Sequence, residues 1–214
     1  MRPLPRLLAF GDDRVAALDD LGVRASAIAA AGSGVALVAR LPAGSIDALA
    51  SLARRFVALA LPPMAGVMVT GRVDVACAAG ANGVILRNGD LVTGIARDLL
   101  ARFRGHAEGV RFILRSVHSE PEAEAAVRAG ADALVVGTIW PSATHPGPAA
   151  GTGLLERVVS FGVPTYAIGG VTPARAIEAR AAGAWGVAAI SALWDAAAPY
   201  RVAMDMLKPW AGSV

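Results

Sequence analysis

Paired glycines and the ends of two apolar runs are the features of this sequence best suited to hold an anion. Gly169 and Gly170 follow one short apolar run, and a second run ends at Ile190 and Ser191. Glycine lets the backbone approach an anion closely, and amides at the start of a following helix can point at it. We therefore expect these four residues to bind phosphate. The alternative is that the glycines only turn the chain.

A histidine between two serines is the candidate for proton transfer. Alternation along the run Arg115-Ser116-Val117-His118-Ser119 places Ser116 and His118 on one side. An imidazole there can exchange a proton near neutral pH, so His118 is the expected general acid or base and Ser116 an expected substrate contact. An equally good account is that His118 makes only local hydrogen bonds at a helix N-terminus.

A long segment rich in proline and glycine occupies residues 137–151. Segments of this length and composition are typical of functional lids. Ser142, Thr144 and His145 are its expected substrate contacts. Against this, Ser and Thr hydroxyls in loops often bond only to nearby backbone.

Two further polar residues each follow an apolar run. Arg40 can bind a substrate carboxylate or phosphate, although an exposed arginine leading a helix is the alternative. Asp90 can ligate Mg²⁺, although capping of the next helix explains it equally well. A single carboxylate without a partner gives no prediction of a metal site.

A repeated phrase predicts the architecture that positions these residues. Ala-Gly-Ala occurs at 79–81, 129–131 and 182–184, each time after an Ala-rich helical pattern and before a short apolar run. This is the helix-to-strand joint of an α/β fold. Eight strands are predicted, at Leu7–Phe10, Val35–Val38, Val67–Thr70, Val84–Leu86, Phe112–Ser116, Ala133–Val136, Thr165–Ile168 and Val187–Ala189.

Eight strands favour closure into a (β/α)8 TIM barrel, forming a single domain over residues 1–214. The alternative is an open doubly wound sheet, but no early G-x-G-x-x-G marks a dinucleotide turn. Helical patterns are predicted at Arg14–Ala30, Ile46–Ala58, Leu91–Phe103, Glu120–Ala129 and Pro173–Ala182, the last capped by Thr172.

Composition excludes several classes of function. The net charge is only +3 and the arginines are dispersed, so no nucleic-acid partner is expected. No apolar run is long enough to predict a membrane span, and the N-terminus lacks the pattern of a signal peptide, which predicts a cytoplasmic protein. The only lysine, Lys208, lies beyond the last strand, which argues against Schiff-base chemistry. Trp194 and Trp210 are candidate contacts of a homodimer.

From about Val67 to Leu193 the sequence resembles the barrel superfamily of thiamine phosphate synthase and the related thiazole tautomerase. The segments that carry the resemblance are Arg115 to Ser119, Ala129 to Asp132, the loop from Gly137 to Pro146, Ile168 to Val171 and Val187 to Ala192.

The resemblance implies one of two reactions. The synthase joins a pyrimidine methyl diphosphate to a thiazole phosphate using Mg²⁺, and such members resemble one another in Gln-Leu-Arg-x-Lys after strand two, Asn-Asp after strand three and Thr-x-Thr-Lys in the long loop. The corresponding stretches here are Leu37-Val38-Ala39-Arg40-Leu41, Thr70-Gly71 and Ser142-Ala143-Thr144-His145. The lysines of these two synthase motifs are thus absent here. Of the two aspartates that hold the metal in such members, only Asp90 remains.

These departures favour the tautomerase branch. The expected reaction aromatises a thiazole carboxylate phosphate tautomer, with His118 moving the proton, Gly169, Gly170, Ile190 and Ser191 holding phosphate, and no cofactor. The expected partner is a small phosphorylated heterocycle. The first alternative is a divergent, Mg²⁺-dependent thiamine phosphate synthase. The second is a non-catalytic barrel that binds a phosphorylated ligand.

Overall fold

All eight predicted strands are present, and every strand end lies within one residue of its expected position. The computed structural model describes residues 4–60, 65–102, 111–142 and 147–212. The strands run parallel in the order β1 to β8, and β8 pairs with β1 to close a barrel. Their bounds are β1 Leu7–Gly11, β2 Val35–Ala39, β3 Gly66–Thr70, β4 Gly83–Leu86, β5 Phe112–Val117, β6 Ala133–Gly137, β7 Thr165–Ile168 and β8 Gly186–Ala189.

Helices follow the strands and form the outer layer. They are α1 Asp13–Ala16, α2 Leu21–Ala29, α3 Ile46–Ala60, α4 Val73–Ala79, α5 Thr93–Arg102, α6 Glu120–Arg128, α7 Gly151–Val159, α8 Pro173–Ala181, α9 Ser191–Trp194 and α10 Pro199–Leu207, followed by a 3-10 turn at Lys208–Trp210. The (β/α)8 TIM barrel is confirmed, whereas the domain bounds 1–214 stay a prediction. No helix among the described residues is both long and apolar enough to span a membrane.

One predicted helix, Arg14–Ala30, is wrong as a continuous element. Asp12 caps α1, its carboxylate accepting a hydrogen bond from the Val15 amide, and α1 ends after one turn. Residues 17–20 separate α1 from α2, and the segment contains Asp19 and Asp20. Aspartate competes with helical hydrogen bonding through its own side chain, which favours caps and turns over helix interiors. The Thr172 cap of α8 is as predicted, since its hydroxyl accepts from the Arg175 amide.

Alternation along each strand divides the core into two layers. One face of the strands fills the barrel with a cluster of buried side chains: Leu8, Phe10, Ala36, Val38, Met68, Ile85, Leu114, Ala133, Val135, Tyr166 and Ala188. The other face packs against the helices. Trp194 and Trp210 belong to this outer layer and are 1% and 5% exposed, so they do not offer the dimer contact expected of them. Trp194 stacks on Phe56, and the Trp210 indole donates to the Ala184 carbonyl.

Pairing of β8 with β1 closes the barrel. A tight contact of this seam lies at the N-terminal ends of the two strands, opposite the strand C-termini. The Val187 amide donates to the Arg6 carbonyl over 2.8 Å. A Cβ atom placed on Gly186 would lie within 2.8 Å of the Tyr166 ring and closer still to the Arg6 carbonyl. The closure therefore requires a residue without a side chain at position 186.

Candidate active site

A cavity of about 460 Å³ opens at the C-terminal ends of the strands. Buried apolar side chains from inside the barrel, such as Phe10 and Ile85, form part of its wall. Eight of the ten residues predicted to bind or react with substrate line it: Arg40, Ser116, His118, Ser142, Gly169, Gly170, Ile190 and Ser191. The other two, Thr144 and His145, lie outside the described residues. Their roles stay predictions.

The turn after β7 provides the expected phosphate side of this cavity. Gly169 and Gly170 have φ values of 96° and 63°, which favour glycine. A Cβ atom on Gly170 would lie 2.4 Å from the Pro141 carbonyl oxygen, so the turn needs glycine because the loop after β6 packs directly upon it. Ser191 starts α9 and faces the same cavity.

A cation that the sequence analysis missed also lies on this side. Arg175, in the first turn of α8, lines the cavity and donates a hydrogen bond of 2.5 Å to the Gly170 carbonyl. Its guanidinium carbon is 5.8 Å from the centre of the Trp140 ring. These contacts hold a positive charge beside the glycine turn. The available signal was an arginine in the first turn of the helix that follows a predicted phosphate loop.

The opposite wall carries two more arginines. Arg40 follows β2, while Arg87 and Asn88 follow β4, and all three line the cavity together with Thr70 at the end of β3. Burial, and then the nearby positive charge of Arg87, lowers the pKa of Arg40. Arg40 forms no ion pair with any residue of the described chain. In a closed barrel of eight strands, β3 lies across from β7, so this cationic wall faces the glycine turn.

Asp90 is oriented towards Arg87 and is not among the cavity-lining residues. Its carboxylate accepts from the Arg87 amide over 2.7 Å and from the Arg87 guanidinium over 3.2 and 3.3 Å. It thus closes the turn after β4, and within the described chain the hydrogen bonds of its carboxylate go to Arg87 and not to the amides of α5, contrary to the capping alternative. Among the described residues, no group of three His, Cys, Asp or Glu side chains is placed to hold a metal ion. A lone carboxylate already bonded to a guanidinium does not fit a Mg²⁺ held by the protein.

His118 stands at the rim of the cavity. Its side chain is 61% exposed, and its Nδ1 lies 3.3 Å from Glu122 Oε2. The same carboxylate oxygen accepts from the His118 amide, while Ser119 caps α6 through the Glu122 amide. Both accounts of His118 therefore describe part of its surroundings, since it faces the cavity and is bonded at a helix N-terminus.

The sequence family follows from comparison with known proteins. The family model described as thiamine monophosphate synthase (TMP-TENI) matches residues 14–193. The chain belongs to this family. The thiamine-phosphate synthase of Salinispora arenicola is 37% identical over 205 residues, covering 94% of this chain and 95% of that protein. The thiamine-phosphate synthase of Salinispora tropica is 38% identical, covering 97% of this chain and 98% of that protein.

A solved structure agrees with this family assignment. Thiamine phosphate pyrophosphorylase from Pyrococcus furiosus superposes with a TM-score of 0.77 at 26% identity, covering 95% of this chain and 94% of that one. An enzyme of the thiamine pathway, expected from the resemblance, is confirmed. The tautomerase branch is wrong: both Salinispora proteins, which match nearly the whole chain, are thiamine-phosphate synthases. The missing synthase lysines and aspartate do not indicate the tautomerase branch, because Arg87 and Arg175 bring other cations to the cavity.

Proposed function

We propose that this protein is a transferase, a thiamine-phosphate synthase that joins a pyrimidine methyl diphosphate to a thiazole phosphate. The proposal rests chiefly on the cavity at the strand C-termini. One wall of it, formed after β2 and β4, is cationic and faces the glycine turn after β7. Two phosphorylated substrates need two anion sites on either side of the reacting rings. Names and lengths of the relatives support the same reaction.

The chemistry assigns different tasks to the two walls. A lone pair on the thiazole ring nitrogen forms the new bond to the pyrimidine methylene carbon, and the bond from that carbon to the diphosphate oxygen breaks. Diphosphate leaves with the electron pair, so negative charge grows on it as the bond lengthens. Fixed positive groups at that position stabilise the transition state more than the ground state.

Arg40, Arg87 and Asn88 are the residues proposed to hold the diphosphate. A guanidinium matches two phosphate oxygens at once, which fixes the direction in which the leaving group departs. Arg40 is free of ion pairs within the described chain and is partly buried, so its charge is screened less than that of a surface arginine.

The thiazole phosphate is assigned to the turn of Gly169 and Gly170, with Ile190 and Ser191 beside it and Arg175 behind the turn. Anchoring that phosphate places the ring nitrogen towards the centre of the cavity, where Ser116 is available to a ring substituent. Holding both substrates in reacting geometry removes much of the entropic cost of a bimolecular step. The arrangement thus supplies orientation and charge rather than a nucleophile of its own.

The deciding experiment mixes purified protein with both substrates and measures thiamine phosphate by mass spectrometry and released pyrophosphate enzymatically. We expect stoichiometric formation of the two products, and a large loss of rate in Arg40→Ala. Arg54→Ala is the matched control, an exposed arginine on α3 outside the cavity. Binding of both substrates without product would overturn the proposal in favour of a non-catalytic barrel.

His118→Ala separates condensation from proton-transfer chemistry. Attack by a ring nitrogen that carries no proton needs no acid or base, so we expect kcat to fall by less than about tenfold, whereas loss of a general acid or base costs about 10²–10⁴-fold. The measurement is steady-state condensation beside Glu122→Gln, which keeps an acceptor for the His118 amide. A loss above 100-fold in His118→Ala alone would assign the imidazole a catalytic role.

A further inference from the structure

We propose that the guanidinium of Arg87, held by Asp90 beside Gly71, binds the diphosphate in the place where related synthases are expected to use Mg²⁺. The diphosphate end of the cavity would then bind its anion without a divalent cation. The identity of that anion rests on the proposed function, whereas the absence of a metal requirement can be tested separately.

The space above β3 is the first observation. Gly71 stands where the resemblance expects the aspartate of an Asn-Asp pair, and its φ is 75°. A Cβ atom on Gly71 would lie 3.4 Å from Arg87 Nη2 and 3.4 Å from both carboxylate oxygens of Asp90. The Arg87–Asp90 pair therefore occupies the volume into which a side chain at position 71 would extend.

The second observation concerns the acidic residue that remains. Asp90 Oδ2 accepts from the Arg87 amide and Nε, and Oδ1 accepts from Arg87 Nη2. A carboxylate offers about four lone-pair sites, so three donors leave little capacity for a metal. The Asp90 side chain is 14% exposed and the Arg87 side chain 45%. The half-buried carboxylate thus positions the guanidinium of Arg87, which is the more exposed of the two residues and lines the cavity.

The third observation is the charge balance of this wall. Arg87 is close enough to Arg40 for its positive charge to contribute, after burial, to lowering the pKa of Arg40, and within the described part of the chain Asp90 forms its ion pair with Arg87. Asp12 and Asp13 also act on Arg40. Neither of them lines the cavity, and nor does Asp90, whereas both arginines do. The face of this wall that meets the cavity therefore carries positive groups, which repel a divalent cation and attract a diphosphate. Both expected metal ligands of the family are thereby altered. Gly71 replaces one aspartate, and the other, Asp90, is paired with the Arg87 guanidinium.

Titration calorimetry with inorganic pyrophosphate tests the proposal without any need for turnover. In EDTA we expect wild-type protein to bind pyrophosphate, with affinity changing less than about threefold when Mg²⁺ replaces EDTA. Arg87→Ala is expected to weaken binding by about 30-fold or more, because hydrogen bonds to charged groups are worth tens-fold in affinity. Titration of Mg²⁺ alone should give no saturable heat.

Arg72→Ala is the matched control. Arg72 follows Gly71, pairs with Asp74 on α4 and does not line the cavity, so its loss should leave pyrophosphate affinity within about threefold. If Arg87→Ala fails to fold, Arg87→Lys replaces it. Lysine keeps the positive charge but not the fork of donors, so we expect its pyrophosphate affinity to lie between those of wild type and a variant without the cation. The double variant Gly71→Asp with Arg87→Gly is expected to gain Mg²⁺-dependent pyrophosphate binding.

Each outcome decides between the two proposals. Pyrophosphate binding by the wild type that requires Mg²⁺, or that survives in Arg87→Ala, overturns the role of Arg87. Metal-free binding lost in Arg87→Ala supports it even if no thiamine phosphate forms, in which case only the proposed condensation fails.

Discussion

Gly170→Ala is expected to lower kcat/KM for the thiazole phosphate by about 100-fold or more, since displacements of about 1 Å at a reacting centre cost roughly that factor. The new methyl group would lie 2.4 Å from the Pro141 carbonyl oxygen and 3.0 Å from the Trp140 carbonyl oxygen. Neither is the end of a flexible side chain, so the glycine turn and the loop after β6 must separate. The turn and the loop both contribute residues to the cavity, and Arg175 donates to the carbonyl of Gly170 itself, so it would be displaced as well.

Steady-state kinetics with thiazole phosphate as the varied substrate measure this effect, and calorimetry with pyrophosphate reports on the other wall. We expect pyrophosphate affinity within about threefold of wild type, since Arg40 and Arg87 lie across the barrel. Gly162→Ala is the control: Gly162 has a φ of 79° with nothing within 4 Å of its added methyl. Its left-handed backbone costs about 1 kcal/mol, yet it should leave kcat/KM unchanged. If Gly170→Ala and Gly162→Ala had the same kcat/KM for the thiazole phosphate, the glycine turn would not be part of the substrate site.

Gly186→Ala is expected to destabilise the protein by roughly 3 kcal/mol or more, at the upper end of overpacking effects. The added methyl group would meet the Arg6 carbonyl group and, at 2.8 Å, the Tyr166 ring. Tyr166 is fully buried and donates to the Pro5 carbonyl, so neither neighbour can move without breaking other contacts. The clash falls on the β1–β8 seam, which is held by the hydrogen bond from the Val187 amide to the Arg6 carbonyl.

Urea unfolding followed by circular dichroism gives this free energy of unfolding. Gly94→Ala is the control, because Gly94 lies in α5 with nothing within 4 Å of an added methyl. Alanine there should stabilise the protein by about 0.5 kcal/mol, through the lower entropy of its unfolded chain. A Gly186→Ala variant as stable as wild type would mean that the seam has room that the structure does not show.

The two glycines illustrate how the barrel separates binding from stability. Gly170 lies at the C-terminal end of its strand, where loops can vary without opening the sheet. Gly186 lies at the N-terminal end, where β8 must fit against β1. The expected effects therefore fall on different measurements, turnover in one case and unfolding in the other.

The sequence alone predicted the strands well because burial on both faces leaves short, uninterrupted apolar runs between helices. It predicted the continuous helix Arg14–Ala30 wrongly, since periodicity spans a break that the aspartates around residues 12–20 impose. It also predicted that Gly169, Gly170, Ile190 and Ser191 would lie at one site, because the loops after strands seven and eight of a barrel are adjacent. The structure places all four on the cavity, and their binding of phosphate stays a prediction.

Only the tertiary structure brought Arg87 beside Gly71 and close to Arg40, and turned Asp90 towards Arg87 rather than the cavity. Those residues follow three different strands, and in the sequence nothing distinguishes them from any other glycine or polar residue after an apolar run. Their separation depends on how the strands are staggered when the barrel closes, which no local pattern encodes. Loss of the family's lysines was visible in the sequence, but the cations that stand in the same cavity became visible only when β2, β4 and α8 were placed around it.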